Sequence, residues 1–195
     1  MGMRRQPDPS SSQPEQPEQP EQPEQPEQPE RAPGEHLVYL GLGSNLGDRD
    51  ALLRLALERL APDVRVTRLS SVWDTAPALV TDQPRFHNAV AEGLTTLDPF
   101  ALLRLAKEIE RALGREPGPR YGPRTIDIDI LLYDDLLLDT PNLTIPHAGL
   151  AERPFALALL AEIAPHAWHP GLSADAATLA AAAPPADIRR LGPLV

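Results

Sequence analysis

Arg120-Tyr121-Gly122-Pro123-Arg124-Thr125-Ile126-Asp127-Ile128-Asp129-Ile130 is the stretch that decides how the chain is read. A strand has a side-chain period of two, so both aspartates fall on one face and the isoleucines on the other. The isoleucine face is predicted to meet a core. On the opposite face, two carboxylates about 7 Å apart along the strand suit Mg²⁺, which keeps several waters and takes one or two carboxylates together with substrate phosphates. Arg120 and Arg124 add planar donors matched to phosphate oxygens. Period-two alternation also describes an ordinary amphipathic strand, with Asp127 and Asp129 merely solvated. The Arg-Tyr-Gly-Pro-Arg lead is what makes the combination specific.

At the other end, residues 13–30 are six Gln-Pro-Glu repeats that follow a Ser/Pro-rich stretch. Proline at every third position removes backbone donors and favours extended polyproline II, while the glutamates repel one another. Residues 1–33 are therefore expected to be a disordered, solvated extension. Residues 34–195 are expected to form one domain of ordinary size with a single core.

The formal net charge of −10 divides evenly, because Asp8 and six glutamates against Arg4 and Arg5 put −5 on residues 1–30 and leave −5 for the remainder. A mildly acidic domain offers no basic stripe for nucleic acid. An anionic substrate such as ATP would have to be met by a local arginine cluster and a metal. With 0 cysteines, disulfides, thiolate zinc sites and cysteine nucleophiles are excluded. No apolar run approaches the roughly 18 residues of a membrane span, and Met1 to Arg5 leads into no apolar signal core. A monomeric cytoplasmic protein is the expectation.

Leu37 to Leu42 reads as a buried strand and Gly43 to Asp48 as a tight loop into a helix over Ala51 to Leu60, with Asp48 in the cap region and Leu52, Leu55, Ala56 and Leu60 inward. The Gly-x-Gly at 41–43 completes neither a dinucleotide fingerprint nor a P-loop, so a strand-to-helix turn is preferred to a phosphate cradle. Val64 to Trp73 suggests a second strand and Phe86 to Ala91 a third, which would put Phe86 and Asn88 on one face. An aromatic beside a carboxamide suits a flat, hydrogen-bonding ring; Phe86 in the core with Asn88 a strand-end polar residue is the alternative.

Asp98-Pro99 starts a helix whose stripe of Leu102, Ala106, Ile109 and Leu113 ends at Gly114. The Pro/Gly-rich segment from Arg115 to Arg120 is a candidate lid. A short strand at Leu136 to Leu138, a helix over Pro154 to Ala164 and an alanine-rich helix within Ala174 to Ala183 complete the pattern of an α+β sandwich with an antiparallel sheet. Among the histidines, His147 stands out; His166 and His169 read as surface residues, since no third ligand sits at zinc spacing.

Five segments then occur in one order: Leu42-Gly43-Ser44-Asn45-Leu46-Gly47-Asp48-Arg49; Thr75-Ala76-Pro77; Asp82 to Ala89; Gly122-Pro123-Arg124-Thr125-Ile126-Asp127-Ile128-Asp129; and Ile145-Pro146-His147 through Arg153-Pro154-Phe155. Together they resemble the 6-hydroxymethyl-7,8-dihydropterin pyrophosphokinases of folate biosynthesis, over about residues 36 to 170. The resemblance implies a ferredoxin-like α+β fold and transfer of the terminal pyrophosphate of ATP to the pterin hydroxymethyl group, releasing AMP. It implies that Asp127 and Asp129 hold two Mg²⁺ ions, and that the catalytic set is these two with Arg115, Arg120 and Arg124. ATP would be bound by Glu110, Arg115, Arg120, Tyr121, Arg124, His147 and Arg153. The pterin would stack between Phe86 and Phe155, with Asn88 and Thr75 at its polar edge. Phe86 stands where tyrosine is common in the family, which keeps the stacking face and loses a hydroxyl, and Tyr121 replaces a usual tryptophan. A different ATP- or sugar-nucleotide-dependent transferase would leave Phe86, Asn88 and Phe155 without a task. A non-catalytic binding module would have no use for the aspartate pair.

Overall fold

Leu37, Val38, Tyr39, Leu40 and Leu42 follow one another along the first strand and all are buried, so that strand is covered on both faces. The computed structural model describes residues 29–77, 81–118 and 122–194. β1 (His36–Ser44) leads to α1 (Arg49–Leu60), β2 (Val64–Leu69), β3 (Val72–Thr75), β4 (Phe86–Thr95), α2 (Pro99–Ala112) and β5 (Asp127–Tyr133). β6 (Leu138–Asp139) and β7 (Thr144–Ile145) form a small ladder before α3 (Pro154–Ile163). β8 (Trp168–His169), β9 (Ala174–Asp175), α4 (Ala176–Ala182) and β10 (Ile188–Gly192) finish the chain.

The main sheet is antiparallel in the order β10-β3-β4-β1-β5, with β2 on the far half of β4. Strand, helix, strand pair, helix, strand with the first strand central is the expected ferredoxin-like arrangement. Val38, Leu40, Leu42, Ile126, Ile128 and Ile130 pack with Leu53, Ala56 and Leu60 of α1 and Leu102, Ala106 and Ile109 of α2. The other face, with Leu37, Tyr39, Val90 and Leu131, packs on Leu157, Leu159 and Leu160 of α3 and Ala176 of α4.

Local chemistry fixes the helix ends. Asp48 accepts the Ala51 N–H at 3.1 Å, and Asp98 accepts those of Phe100 and Ala101, ahead of Pro99 at the first turn. Gly114 closes α2 at φ +82°, a conformation cheap only for glycine.

The structure corrects several readings. β1 runs to Ser44, so Gly43 and Ser44, expected in the loop, lie within the strand that already held Gly41. The single strand expected over 64–73 breaks at Ser70 and Ser71, where side chains take the place of ladder partners: Ser70 Oγ accepts from Val90 N at 2.9 Å, and the Glu162 carboxylate accepts from the main-chain N–H of Ser71 at 3.2 Å. In α1, Leu53 is buried and Leu55 is 40% exposed. The short strand sits at Leu138–Asp139, sharing only Leu138 with the stretch expected. His169 is buried, its Nδ1 accepting from Leu172 N at 3.2 Å. Among the described residues no helix is long and apolar enough to cross a membrane. The expected extension over 1–33 lies outside the described residues up to residue 28; within the rest of it, Arg31 donates to Asp134 at 2.7 Å.

Candidate functional site

The period of two places residues from three adjacent strands on the α3 side of the sheet. Gly41 and Gly43 of β1, Phe86 and Asn88 of β4, and Asp127 and Asp129 of β5 all line one cavity of about 130 Å³. Thr75 at the end of β3, Arg124 ahead of β5, and Arg153 and Phe155 at the start of α3 close it. The glycines form its floor. A Cβ at Gly43 would lie 2.5 Å from Asn88 Oδ1, closer than real Cβ contacts come, so the carboxamide occupies space that only glycine leaves.

One end of the cavity is aromatic and amidic. Phe86 and Phe155 are half-buried, while Thr75 and Asn88 are buried. Asn88 Nδ2 donates to Thr75 Oγ1 at 2.7 Å, which holds the carboxamide in place.

The other end is ionic. Asp127 is bonded by Arg115 and by Arg124, and Arg153 NH1 donates to Asp129 Oδ2 at 3.1 Å. Arg115 also lies 2.6 Å from Glu110 Oε2. Glu110, 2% exposed, accepts through Oε1 from Lys107 Nζ and from Ile128 N, each at 2.8 Å. Burial pushes the Asp127 carboxyl upward, but the guanidinium groups of Arg124 and Arg115 outweigh it and hold the group below its ordinary value. Burial raises Glu110 against the opposing pull of Lys107.

His147 Nε2 is 3.7 Å from Asp129 Oδ2, and its Nδ1 accepts from Gly149 N at 3.1 Å. That acceptor role leaves the proton of a neutral ring on Nε2, facing the carboxylate. Burial, reinforced by Arg153 and opposed by Asp129, lowers the affinity of His147 for a second proton.

Nine of the expected site residues thus line the cavity or reach Asp129 from its edge: Thr75, Phe86, Asn88, Arg124, Asp127, Asp129, His147, Arg153 and Phe155. Arg115 and Glu110 join through Asp127. Arg120 and Tyr121 lie outside the described residues. Sequence reasoning gave no task to Asn45, which is 2% exposed. Its Oδ1 accepts from Arg124 N at 2.8 Å, while its Nδ2 donates to Gln83 Oε1 at 3.0 Å and to the Pro84 carbonyl at 3.1 Å. It therefore clamps the loop before Phe86 to the loop before Asp127. A buried asparagine just after a strand, inside the Gly-Ser-Asn-Leu-Gly segment, was the available clue.

Asp127 and Asp129 fit Mg²⁺. Their side chains are 18% and 25% exposed, open to one cavity, and no group of three or more His, Cys, Asp or Glu among the described residues offers an all-protein cage. Two carboxylates with the remaining positions left to water and phosphate oxygen is how Mg²⁺ is usually held.

A family model described as 7,8-dihydro-6-hydroxymethylpterin-pyrophosphokinase (HPPK) matches residues 39–165. Among curated proteins, the mitochondrial folate synthesis bifunctional protein of Arabidopsis thaliana is 48% identical over 130 residues, 66% of this chain and 24% of that one. The 2-amino-4-hydroxy-6-hydroxymethyldihydropteridine pyrophosphokinase of Bacillus subtilis is 45% identical over 130 residues, 66% of this chain and 78% of that one. The match thus spans about a quarter of the length of the bifunctional relatives and over three quarters of that of the Bacillus protein. Among solved structures, a triple variant of Plasmodium falciparum HPPK-DHPS, crystallised with pterin and p-hydrobenzoate, superposes with a TM-score of 0.61 at 17% identity, covering 75% of this chain and 44% of that one. At that identity the likeness concerns the fold.

Proposed function

The chain belongs to the 7,8-dihydro-6-hydroxymethylpterin-pyrophosphokinase family, and we propose from this that it transfers the terminal diphosphate of ATP to the hydroxymethyl oxygen of 6-hydroxymethyl-7,8-dihydropterin in the cytoplasm. The observation that carries the reading is the polarity of one cavity: two phenylalanines and a fixed carboxamide at one end, two aspartates ringed by arginines at the other. A flat heterocycle with a hydroxymethyl arm and a triphosphate would meet between those ends.

Phe86 and Phe155 would stack on the pterin, and Asn88, oriented by Thr75, would read its polar edge. Asp127 and Asp129 would hold two Mg²⁺ ions, which when bound neutralise phosphate charge and make the substrate hydroxyl easier to deprotonate. Arg115, Arg124 and Arg153 now pair with those aspartates and would turn their donors to the phosphate oxygens. His147 would add its Nε2–H. Glu110 would hold Arg115 in reach, and Arg120 and Tyr121 would close over ATP from the segment before Gly122.

In the reaction the pterin hydroxyl oxygen bonds to the β-phosphorus and the bond between that phosphorus and the α,β-bridging oxygen breaks. AMP leaves with the bridging oxygen, and the hydroxyl proton passes to solvent. Rate enhancement would come from alignment and charge neutralisation, with no side-chain base required.

The test mixes purified protein with ATP, Mg²⁺ and the pterin and identifies the adenine product by chromatography. AMP that appears only with pterin supports the proposal. ADP would mean single-phosphoryl transfer, and no pterin-dependent product would remove the assignment.

A further inference from the structure

Outside the cavity, Arg85 is held from three elements. Arg49 NH1 at the start of α1 donates to the Arg85 carbonyl at 2.9 Å. The Arg85 guanidinium donates to the Asp74 carboxylate through Nε and to the Asp74 carbonyl at 3.3 Å. It also donates to Asp187, to Oδ2 at 2.8 Å, to Oδ1 at 3.3 Å and to the carbonyl at 3.1 Å. Asp187 immediately precedes β10, and its carbonyl accepts from Ala76 N at 3.1 Å as well.

The register shows what this grip controls. Thr75 pairs with Phe86, Trp73 with Asn88, and Asp74 with His87. Paired residues share a face and neighbours along a strand alternate, so Asp74 and His87 lie behind the face that carries Thr75, Phe86 and Asn88. Asp74 is buried, and its second oxygen faces His87 Nε2 at 3.9 Å, while His87 Nδ1 is 2.6 Å from Asp50 Oδ1. Each residue given to the pterin on this side is therefore the chain neighbour of a member of one ionic network. Arg85 does not line the cavity.

We propose that Arg85, latched to Asp187 just ahead of β10, is a positioning residue that sets the height of Phe86 and the orientation of the Thr75–Asn88 pair for the pterin, and leaves the ATP end untouched. This rests on the proposed function. The C-terminal segment thereby acts as the outer wall of the acceptor side, an edge strand added next to β3.

The test measures steady-state AMP formation with each substrate varied in turn, for the wild type, Arg85→Gln, Arg85→Lys and Asp187→Asn, together with pterin Kd by fluorescence. Arg85→Gln leaves the buried Asp74 without its charge partner and should raise the pterin KM and Kd about tenfold. Arg85→Lys should fall between it and the wild type, because the charge remains and the planar fork is lost. Asp187→Asn, at a side chain 75% exposed, should cost about threefold. The ATP KM should stay within about twofold throughout, a split that simple loosening of the fold would not give. Equal movement of both KM values, or an unmoved pterin KM in Arg85→Gln, would overturn the proposal. Should Arg85→Gln fail to fold, Arg85→Lys and Asp187→Asn decide by the same criterion. A wild type without pterin-dependent AMP sinks the proposed function and this inference together, whereas an active wild type with unmoved variants sinks the inference alone.

Discussion

Glu110 Oε1 accepts the main-chain N–H of Ile128 at 2.8 Å, so a helix carboxylate completes the outer edge of β5 between the two aspartates. Among the described residues β5 ends the sheet, and its outward N–H groups have no further strand to bond. The same carboxylate holds Arg115 next to Asp127. Substituting Glu110 by glutamine and by alanine separates these two tasks. The glutamine keeps an acceptor for Ile128 and weakens the hold on Arg115; unfolding in urea should change little while the ATP KM rises several-fold. Alanine strips the buried N–H of its partner and should cost about 1 to 3 kcal/mol of stability as well. Equal stability of the two variants would mean that the Ile128 bond contributes nothing.

Asp129→Asn tests the carboxylate pair. The amide fits the same polar position on β5, so circular dichroism and melting temperature should match the wild type, while turnover under saturating Mg²⁺ falls at least about hundredfold. Near-normal turnover would remove Asp129 from the metal site. Asp127→Asn should in addition loosen the fold, because Arg115 and Arg124 both bond that carboxylate.

The alternation that locates these aspartates was legible because Ile126, Ile128 and Ile130 are all buried, which gives the strand a polar face and an apolar one without ambiguity. α1 was less legible. Leucines at 52, 53, 55, 57 and 60 allow more than one inward face, and packing against α2 and β1 chose Leu53 over Leu55. β10 was invisible to pattern reasoning, since Ile188-Arg189-Arg190-Leu191-Gly192 carries little apolar alternation. It becomes a strand because β3 offers it an edge and Arg85 holds Asp187, 102 residues away in sequence. Asn45 was missed for a related reason: its partners, Gln83, Pro84 and Arg124, come together only in the fold.

Gly43 and Gly41 give a contrast within one strand. Alanine at 43 would meet Asn88 Oδ1 at 2.5 Å, so the carboxamide must move off Thr75, and the pterin KM should rise about tenfold. Alanine at 41 would meet the Leu131 side-chain end at 3.3 Å, which can shift by a few tenths of an ångström; its effect should stay within about threefold. Both are measured by the AMP assay with pterin varied. The same loss at both positions would mean that Asn88 needs no such clearance.

Glu162 supplies a pH test of the brace between α3 and β3. Its carboxylate accepts from Ser71 N at 3.2 Å, Ser71 Oγ at 2.7 Å, Trp73 Nε1 at 2.8 Å and Arg190 at 3.3 Å. Burial pushes the group upward, but the bonds from Ser71, Trp73 and Arg190 prevail and hold it below its ordinary 4.5. A carboxyl with a depressed folded-state value contributes stability that is complete above the unfolded value and is lost as pH falls through the folded one. Urea denaturation of the wild type and Glu162→Gln should therefore differ most near neutrality and converge as pH drops below about 4.5. A difference unchanged down to about pH 3 would assign the effect to packing and not to the charge.

Deleting residues 1–33 removes the Arg31–Asp134 pair, whose side chains are 31% and 30% exposed, and none of the described residues 29–33 lines the cavity. Partly exposed pairs of this kind contribute little, and Asp134 keeps the Leu37 N–H at 2.9 Å and His36 at 2.7 Å. The truncated protein should therefore melt close to the full chain and keep AMP formation within a few-fold, with both KM values unmoved. A collapse of activity at unchanged melting temperature would give the Gln-Pro-Glu repeats a part in catalysis.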